Sequence, residues 1–141
     1  MVVVDGHLDI AFNHACWGRD PRLSAAETRA REGAKSNERW RGSCMVGLPE
    51  LRAGRVAIVF GTLFAPRAQD WKDSIDIAGL AYANEEEAES IALMQLALYG
   101  EIARDGGGFR LVGTRRDLEG VLAGWSGEAS GDVDRVLPVL R

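Results

Sequence analysis

Apolar residues along this chain alternate between short unbroken runs and helically spaced sets, and that alternation organises the whole sequence. Val2 to Val4 form a β-branched run with no period of two, which predicts a strand buried on both faces. Residues 11–22 mix aromatics with Gly18 and Pro21 and read as a loop. Ser24 and Glu27 stand three apart as a capping box, starting a helix that runs to about Glu32 and stops at Gly33. Residues 34–47 are polar and irregular. Leu48 to Gly54 reads as a short helical turn, with proline early and glycine just past its end. Val56 to Phe64 is continuously apolar and β-rich, a second buried strand.

Residues 65–83, with Pro66 and Gly79, read as a loop. Asn84 then caps a long helix whose first turn carries Glu85, Glu86 and Glu87, where the helix dipole favours negative charge. Ala88, Ile91, Ala92, Leu98, Tyr99 and Ile102 give it one broad buried face. The run Gly106 to Gly108 ends it. Phe109 to Val112 is a third short strand, and Thr114 with Asp117 starts a helix reaching about Gly124. The segment 126–141 opens as a flexible Gly/Ser stretch and closes on a weak apolar run from Val133 to Leu140, a fourth strand at most. Strands alternating with helices imply an α/β fold with parallel strands and helical crossovers.

Composition narrows the function classes. An apolar fraction of 46% and a charged fraction of 27% over 141 residues are those of one ordinary globular domain. With 17 basic and 21 acidic side chains the net charge is −4, which gives no electrostatic reason to expect nucleic acid or an anionic membrane as partner. Cys16 and Cys44 lie far apart, outside any C-x-x-C spacing, and read as reduced thiols. No segment approaches the roughly 18 consecutive apolar residues of a membrane span, and the first residues lack the basic region and longer apolar run that a secretory signal would need, so none is expected. The expected setting is the cytoplasm.

The candidate chemistry lies at the end of the first strand. In Asp5-Gly6-His7-Leu8-Asp9, a histidine and a carboxylate two apart on a strand share a face and could grip one divalent ion. The same spacing suits an ordinary strand end, a surface histidine beside a capping aspartate. Its place at the carboxyl end of the first strand of a β/α chain favours chemistry, because such folds collect their functional groups there. Two ligands fall short of the three protein groups usual in catalytic zinc sites. His14, the other histidine, could line a pocket, and Asp5 could orient a ligand or simply end the strand. The triple glycine at 106–108 lacks the G-K-[ST] of a phosphate loop, and the arginines between 29 and 41 are interleaved with Glu32 and Glu38 as on a solvated surface. Ser24, Ser43 and Cys44 have no histidine in a suggestive context for nucleophilic catalysis.

Two blocks in order, VVVDGHLDIAFN and VGLPELRAGRVAIVFGTLFAP, resemble the membrane dipeptidase (renal dipeptidase) family, with its D-G-H-x-D opening and its D-L-P-R-L-R-x-G-G-V-x-x-x-F segment. The likeness extends more weakly through the helix at 84–104, the strand FRLV and the helix TRRDLEGVLAGW, covering roughly residues 1–125. The resemblance implies part of an amidohydrolase-like (β/α)8 TIM barrel, about its first three to four β/α units, with 126–141 as an atypical tail. It implies a zinc-dependent hydrolase of dipeptides in which His7 and Asp9 ligate one of two zinc ions, and metal-activated water attacks the peptide bond.

The resemblance stops short of a full site. The family's bridging glutamate lies in a strand ending M-E-G, and its later ligands are histidines, whereas no histidine follows His14 here. Glu128, in SGEASG, lies near the bridging position but lacks the strand before it, so the role is not transferred. The expectation is a dipeptidase-like chain holding an incomplete metal site, inactive alone. The alternative is a non-catalytic α/β module that self-associates or pairs with a complementary fragment through its unpaired sheet edge.

Overall fold

A computed structural model describes residues 1–37, 41–71, 79–104, 108–126 and 137–140 of the chain. The fold is mixed α/β. In chain order the elements are β1 (Val3–Leu8), α1 (Ile10–Trp17), α2 (Ala25–Glu32), α3 (Leu48–Ala53), β2 (Val56–Gly61), α4 (Glu85–Arg104), β3 (Phe109–Val112), α5 (Arg115–Ser126) and β4 (Leu137–Leu140), with short 3₁₀ turns at Gly33–Asn37 and Ala68–Asp70. The strands form one sheet in the order β1-β2-β4-β3, and every adjacent pair is parallel. Sequence order and spatial order diverge at the last two strands: β4 enters between β2 and β3, pairing Val139 with Val59 on one side and with Leu111 on the other.

Local signals that rest on backbone hydrogen bonding hold well. Ser24 accepts from the Glu27 N–H at 3.1 Å while the Glu27 carboxylate accepts from the Ser24 N–H at 2.8 Å, a complete capping box. The Ser24 hydroxyl and N–H hold the exposed Glu27 carboxyl below the ordinary glutamate range. Thr114 and Asp117 repeat the device at α5, and there too the carboxyl is pulled down, first by the Thr114 hydroxyl. Asn84 caps α4 by accepting from the Glu87 N–H at 2.9 Å. Pro49 stands in the first turn of α3 and Gly54 at its end. Gly108, at φ +90, precedes β3. Gly106, Gly107, the stretch 127–136 with Glu128 and Val133, and Arg141 lie outside the described residues.

Three expectations fail. Residues 11–22 are not a loop throughout, because Ile10–Trp17 is a helix. Its inner residues Ile10, Ala11 and Phe12 are buried. Gly18, which signals a loop in the sequence, is instead the left-handed residue that closes this helix, at φ 68. The first strand is not buried on both faces: Val3 and Val4 are 40% and 51% exposed, since β1 is the end of the sheet. β2 is the buried strand, with Ala57, Ile58 and Val59 at 0%, 4% and 0% exposure. It ends at Gly61 rather than Phe64, and Phe60 is exposed.

Beyond Gly61 the chain is held from α4. Gln95, fully buried, donates to the Phe64 carbonyl at 2.6 Å and accepts from the Phe64 N–H at 2.9 Å, pairing this backbone as a neighbouring strand would. The buried face of α4 is Ile91, Gln95, Tyr99 and Ile102, with Ala88, Ala92 and Leu98 half-buried. The main core joins Ile10 and Leu51 to Ile58, Val59, Tyr99 and Phe109. A smaller cluster surrounds Phe12, whose ring meets Trp17 and Phe64 edge-on at 5.9 and 5.0 Å. Cys44 is buried, Cys16 is half-buried and both are free thiols. Among the described residues no helix is long and apolar enough to cross a membrane.

Candidate functional site

Parallel strands bring their carboxyl ends to one side, so the end of β1 lies beside the end of β2. Pairing Asp5 with Val59 and Leu8 with Gly61 sets three steps on β1 against two on β2, an irregularity in the register between Asp5 and Leu8. Asp5 braces this stretch by accepting from the His7 backbone N–H at 2.9 Å. Its carboxylate therefore serves the main chain, and the imidazole is oriented otherwise.

His7 Nε2 and Asp9 Oδ1 lie 3.4 Å apart, with side-chain exposures of 69% and 33%. The structure thus brings together the two residues singled out in the sequence and leaves them open to solvent. The spacing tests the fit of a metal ion. A tetrahedral ion with bonds of about 2.1 Å to nitrogen and oxygen holds any two of its ligands about 3.4 Å apart. The pair can therefore form one edge of such a site. Among the described residues no third His, Cys, Asp or Glu joins them to make a three-donor cluster. His14 does not: its Nδ1 donates to the Arg19 carbonyl at 3.0 Å, which ties the imidazole to its own loop.

Asp9 is positioned by residues that sequence spacing does not reveal. It stands at the N-cap of α1 yet makes no side-chain cap. Its carboxylate instead accepts a hydrogen bond from the Thr62 hydroxyl, just past β2. The Asp9 carbonyl accepts from the Asn13 side chain at 2.9 Å and from the Asn13 N–H at 3.0 Å. The Tyr99 hydroxyl of α4 donates to the Thr62 carbonyl at 2.9 Å and accepts from the Ala11 N–H at 3.3 Å. This 2%-exposed phenol thereby ties the start of α1 to the end of β2. Burial, with the Asp9 charge adding to it against the Ala11 hydrogen bond, pushes the Tyr99 pKa up to about 12, so the hydroxyl keeps its proton at neutral pH. Tyr99 is legible in the sequence as a core position but not as a polar link, and Thr62 has no local signal at all.

Beyond Asn13 lies a charged cluster. Arg19, 10% exposed, donates through Nε and Nη2 to Glu32 at 2.8 and 3.3 Å, through Nη1 to Asn13 at 3.0 Å and through Nη2 to the Gly42 carbonyl at 2.6 Å. Its guanidinium also stacks 4.8 Å from the Trp17 ring centroid. Burial works against ionisation of Asp20, but the Arg22 hydrogen bonds and charge outweigh it and hold the carboxyl below its ordinary range. Burial raises the Cys16 thiol despite the positive charges of Arg41 and Arg19, so Cys16 is a poor nucleophile. Comparisons with protein-family models, with curated proteins and with solved structures found no match.

Proposed function

We propose that the His7–Asp9 edge contributes two ligands to a divalent metal site of the dipeptidase type, zinc being the ion expected, and that the described residues carry this part of the site and no more. The observation that carries the reading is the 3.4 Å separation of Nε2 and Oδ1 at the carboxyl end of a parallel strand. The two sequence blocks that resemble the dipeptidase family add to it. A zinc ion bound there would supply Lewis acidity toward a peptide carbonyl and lower the pKa of a water. The chain's own residues supply position: Thr62 orients the Asp9 carboxylate, Tyr99 locks the two strand ends together, and Asp5 sets the backbone that carries His7. A barrel sets consecutive strands side by side, whereas here β4 stands between β2 and β3, so the reading rests on the metal edge and the two sequence blocks and not on the sheet order.

The test is calorimetric and kinetic. The full chain binds Zn²⁺ weakly at one site, His7→Ala removes that binding, and no dipeptide is turned over with zinc present. Turnover by the chain alone that His7→Ala abolishes would refute the incomplete-site reading.

A second reading, a non-catalytic module that pairs with a copy of itself or a complementary fragment, draws on the edge strand. Val3 and Val4 are 40% and 51% exposed on the edge strand, and Phe60 on β2 and Leu63 just past it are 46% and 48% exposed; exposed edges and apolar side chains are the kind of surface that associates. Light scattering separates the two: a monodisperse monomer removes the second reading and leaves the first.

A further inference from the structure

A cleft of about 410 Å³ lies where the end of α1 meets the end of α2. Trp17 and Arg19 line it from α1 and the turn that follows, Arg31, Glu32 and Lys35 from α2 and the turn that follows, and Arg41 completes the charged lining with Asp20. Its size is that of a small-molecule site.

The sequence interleaves acids among these arginines, but the fold deals the charges out unevenly. Glu32 is shared by two cations: it accepts from Nε and Nη2 of Arg19 at 2.8 and 3.3 Å and stands 3.6 Å from Nη1 of Arg41. The Glu32 side chain is 7% exposed, Arg19 10% and Arg41 18%. Asp20, the other acid of the lining, is turned onto Arg22. Arg31 and Lys35 are exposed and make no hydrogen bond or ion pair among the described residues. Four cations therefore line the cleft against two acids, in a chain whose net charge is −4.

Two guanidinium groups on one carboxylate hold excess positive charge where water is partly excluded, which costs free energy until an anion enters. The charges of Arg41 and Arg19 also reach the Cys16 thiol and act to lower its pKa, although burial outweighs them. Arg19 is held in place beforehand by its bonds to Asn13 and the Gly42 carbonyl and by the Trp17 ring. A fixed cationic wall of this kind spares a ligand the cost of ordering it.

We propose that this cleft binds a small molecule through an oxyanion, a phosphate or a carboxylate group, with Arg31 and Lys35 closing on it from the exposed rim and Arg19 and Arg41 supplying the fixed charge. Guanidinium and ammonium groups give such oxygens charge-assisted hydrogen bonds. The proposal does not rest on the metal-edge reading.

Nuclear magnetic resonance titration of the full chain tests it, with inorganic phosphate and acetate as separate probes. Ionic strength is held constant with sodium chloride, so that general screening is the same throughout. The probe shifts the Trp17 indole and the Gly18 and Arg19 amide resonances along a saturating curve. Phosphate binding more tightly than acetate assigns the cleft to a phosphate group; acetate binding as tightly or more so assigns it to a carboxylate. The double variant Arg31→Gln with Lys35→Gln, at two exposed positions, weakens the tighter probe about tenfold by removing two exposed charge pairs. Arg115→Gln with Arg116→Gln removes the same charge from the exposed surface of α5 and leaves the affinity within about twofold. Shifts that never saturate, or equal weakening by the two double variants, would overturn the proposal. His7→Ala separates it from the metal edge: zinc binding is lost and the oxyanion response stays. An oxyanion response lost with His7 would place the anion at the strand end and overturn the cleft.

Discussion

β1 and β2 carry nearly the same sequence signature, an unbroken β-branched run, and meet opposite fates. Ile58 and Val59 are sealed in the core, while Val3 and Val4 stand 40% and 51% exposed one strand away. The difference comes from rank in the sheet: β2 has neighbours on both sides, whereas β1 has β2 alone. An apolar run reports that a strand forms. Its burial depends on what lies beside it.

The comparison can be broken by mutation. Ile58→Ala should cost about 2–5 kcal/mol of stability, as expected for emptying a buried core site. Val4→Ala should stay within about 0.5 kcal/mol. Urea denaturation of both variants checks this, and equal losses would mean that the edge is covered in solution.

The next effect concerns how the end of β2 holds the end of β1. Thr62→Val should leave the fold intact and lower zinc affinity by about 10- to 100-fold, the usual effect of removing a group that orients a ligand. Unchanged zinc binding measured by calorimetry would show that Thr62 does not orient Asp9.

Tyr99 gives the same joint a pH signature. Its proton is retained in the folded state up to about pH 12, while an exposed tyrosine loses its proton near pH 10. The folded state therefore binds more protons across that window, and stability must fall as pH rises from about 10 to 12. Tyr99→Phe should remove this part of the alkaline decline and, by leaving the Ala11 N–H and Thr62 carbonyl without their phenol partner, cost about 1–3 kcal/mol at neutral pH. Denaturation curves at pH 8 and pH 11 distinguish the two effects.

The smallest effect on stability, and the most pointed for the edge strand, belongs to Val4→Lys. A charge on an exposed edge discourages pairing with another chain. The variant should unfold within about 0.5 kcal/mol of the parent and show less self-association in light scattering. Undiminished association would place the contact elsewhere on the molecule.

Legibility followed the range of the interactions involved. The capping pairs Ser24–Glu27 and Thr114–Asp117 and the Pro49–Gly54 turn were readable because each depends on contacts within a few residues. Helix α1 was not. Its residues IAFNHACW show no polar face to betray a helical period, and Gly18 is both a loop signal and a helix terminator. Gln95 was missed on the buried face of α4 because its reason for burial, the Phe64 backbone, lies 31 residues away.

The candidate site divides the same way. His7 and Asp9 were visible by sequence alone, since a strand places residues two apart on one face whatever surrounds it. That they stand open at 3.4 Å, with Thr62 on the carboxylate, was decided by the tertiary structure. So was the entry of β4 between β2 and β3. Local chemistry determined where strands and helices begin and which residues share a face. Only packing could decide which strand became the edge and which groups 53 and 88 positions apart would meet, because such contacts depend on how the elements fold back on one another.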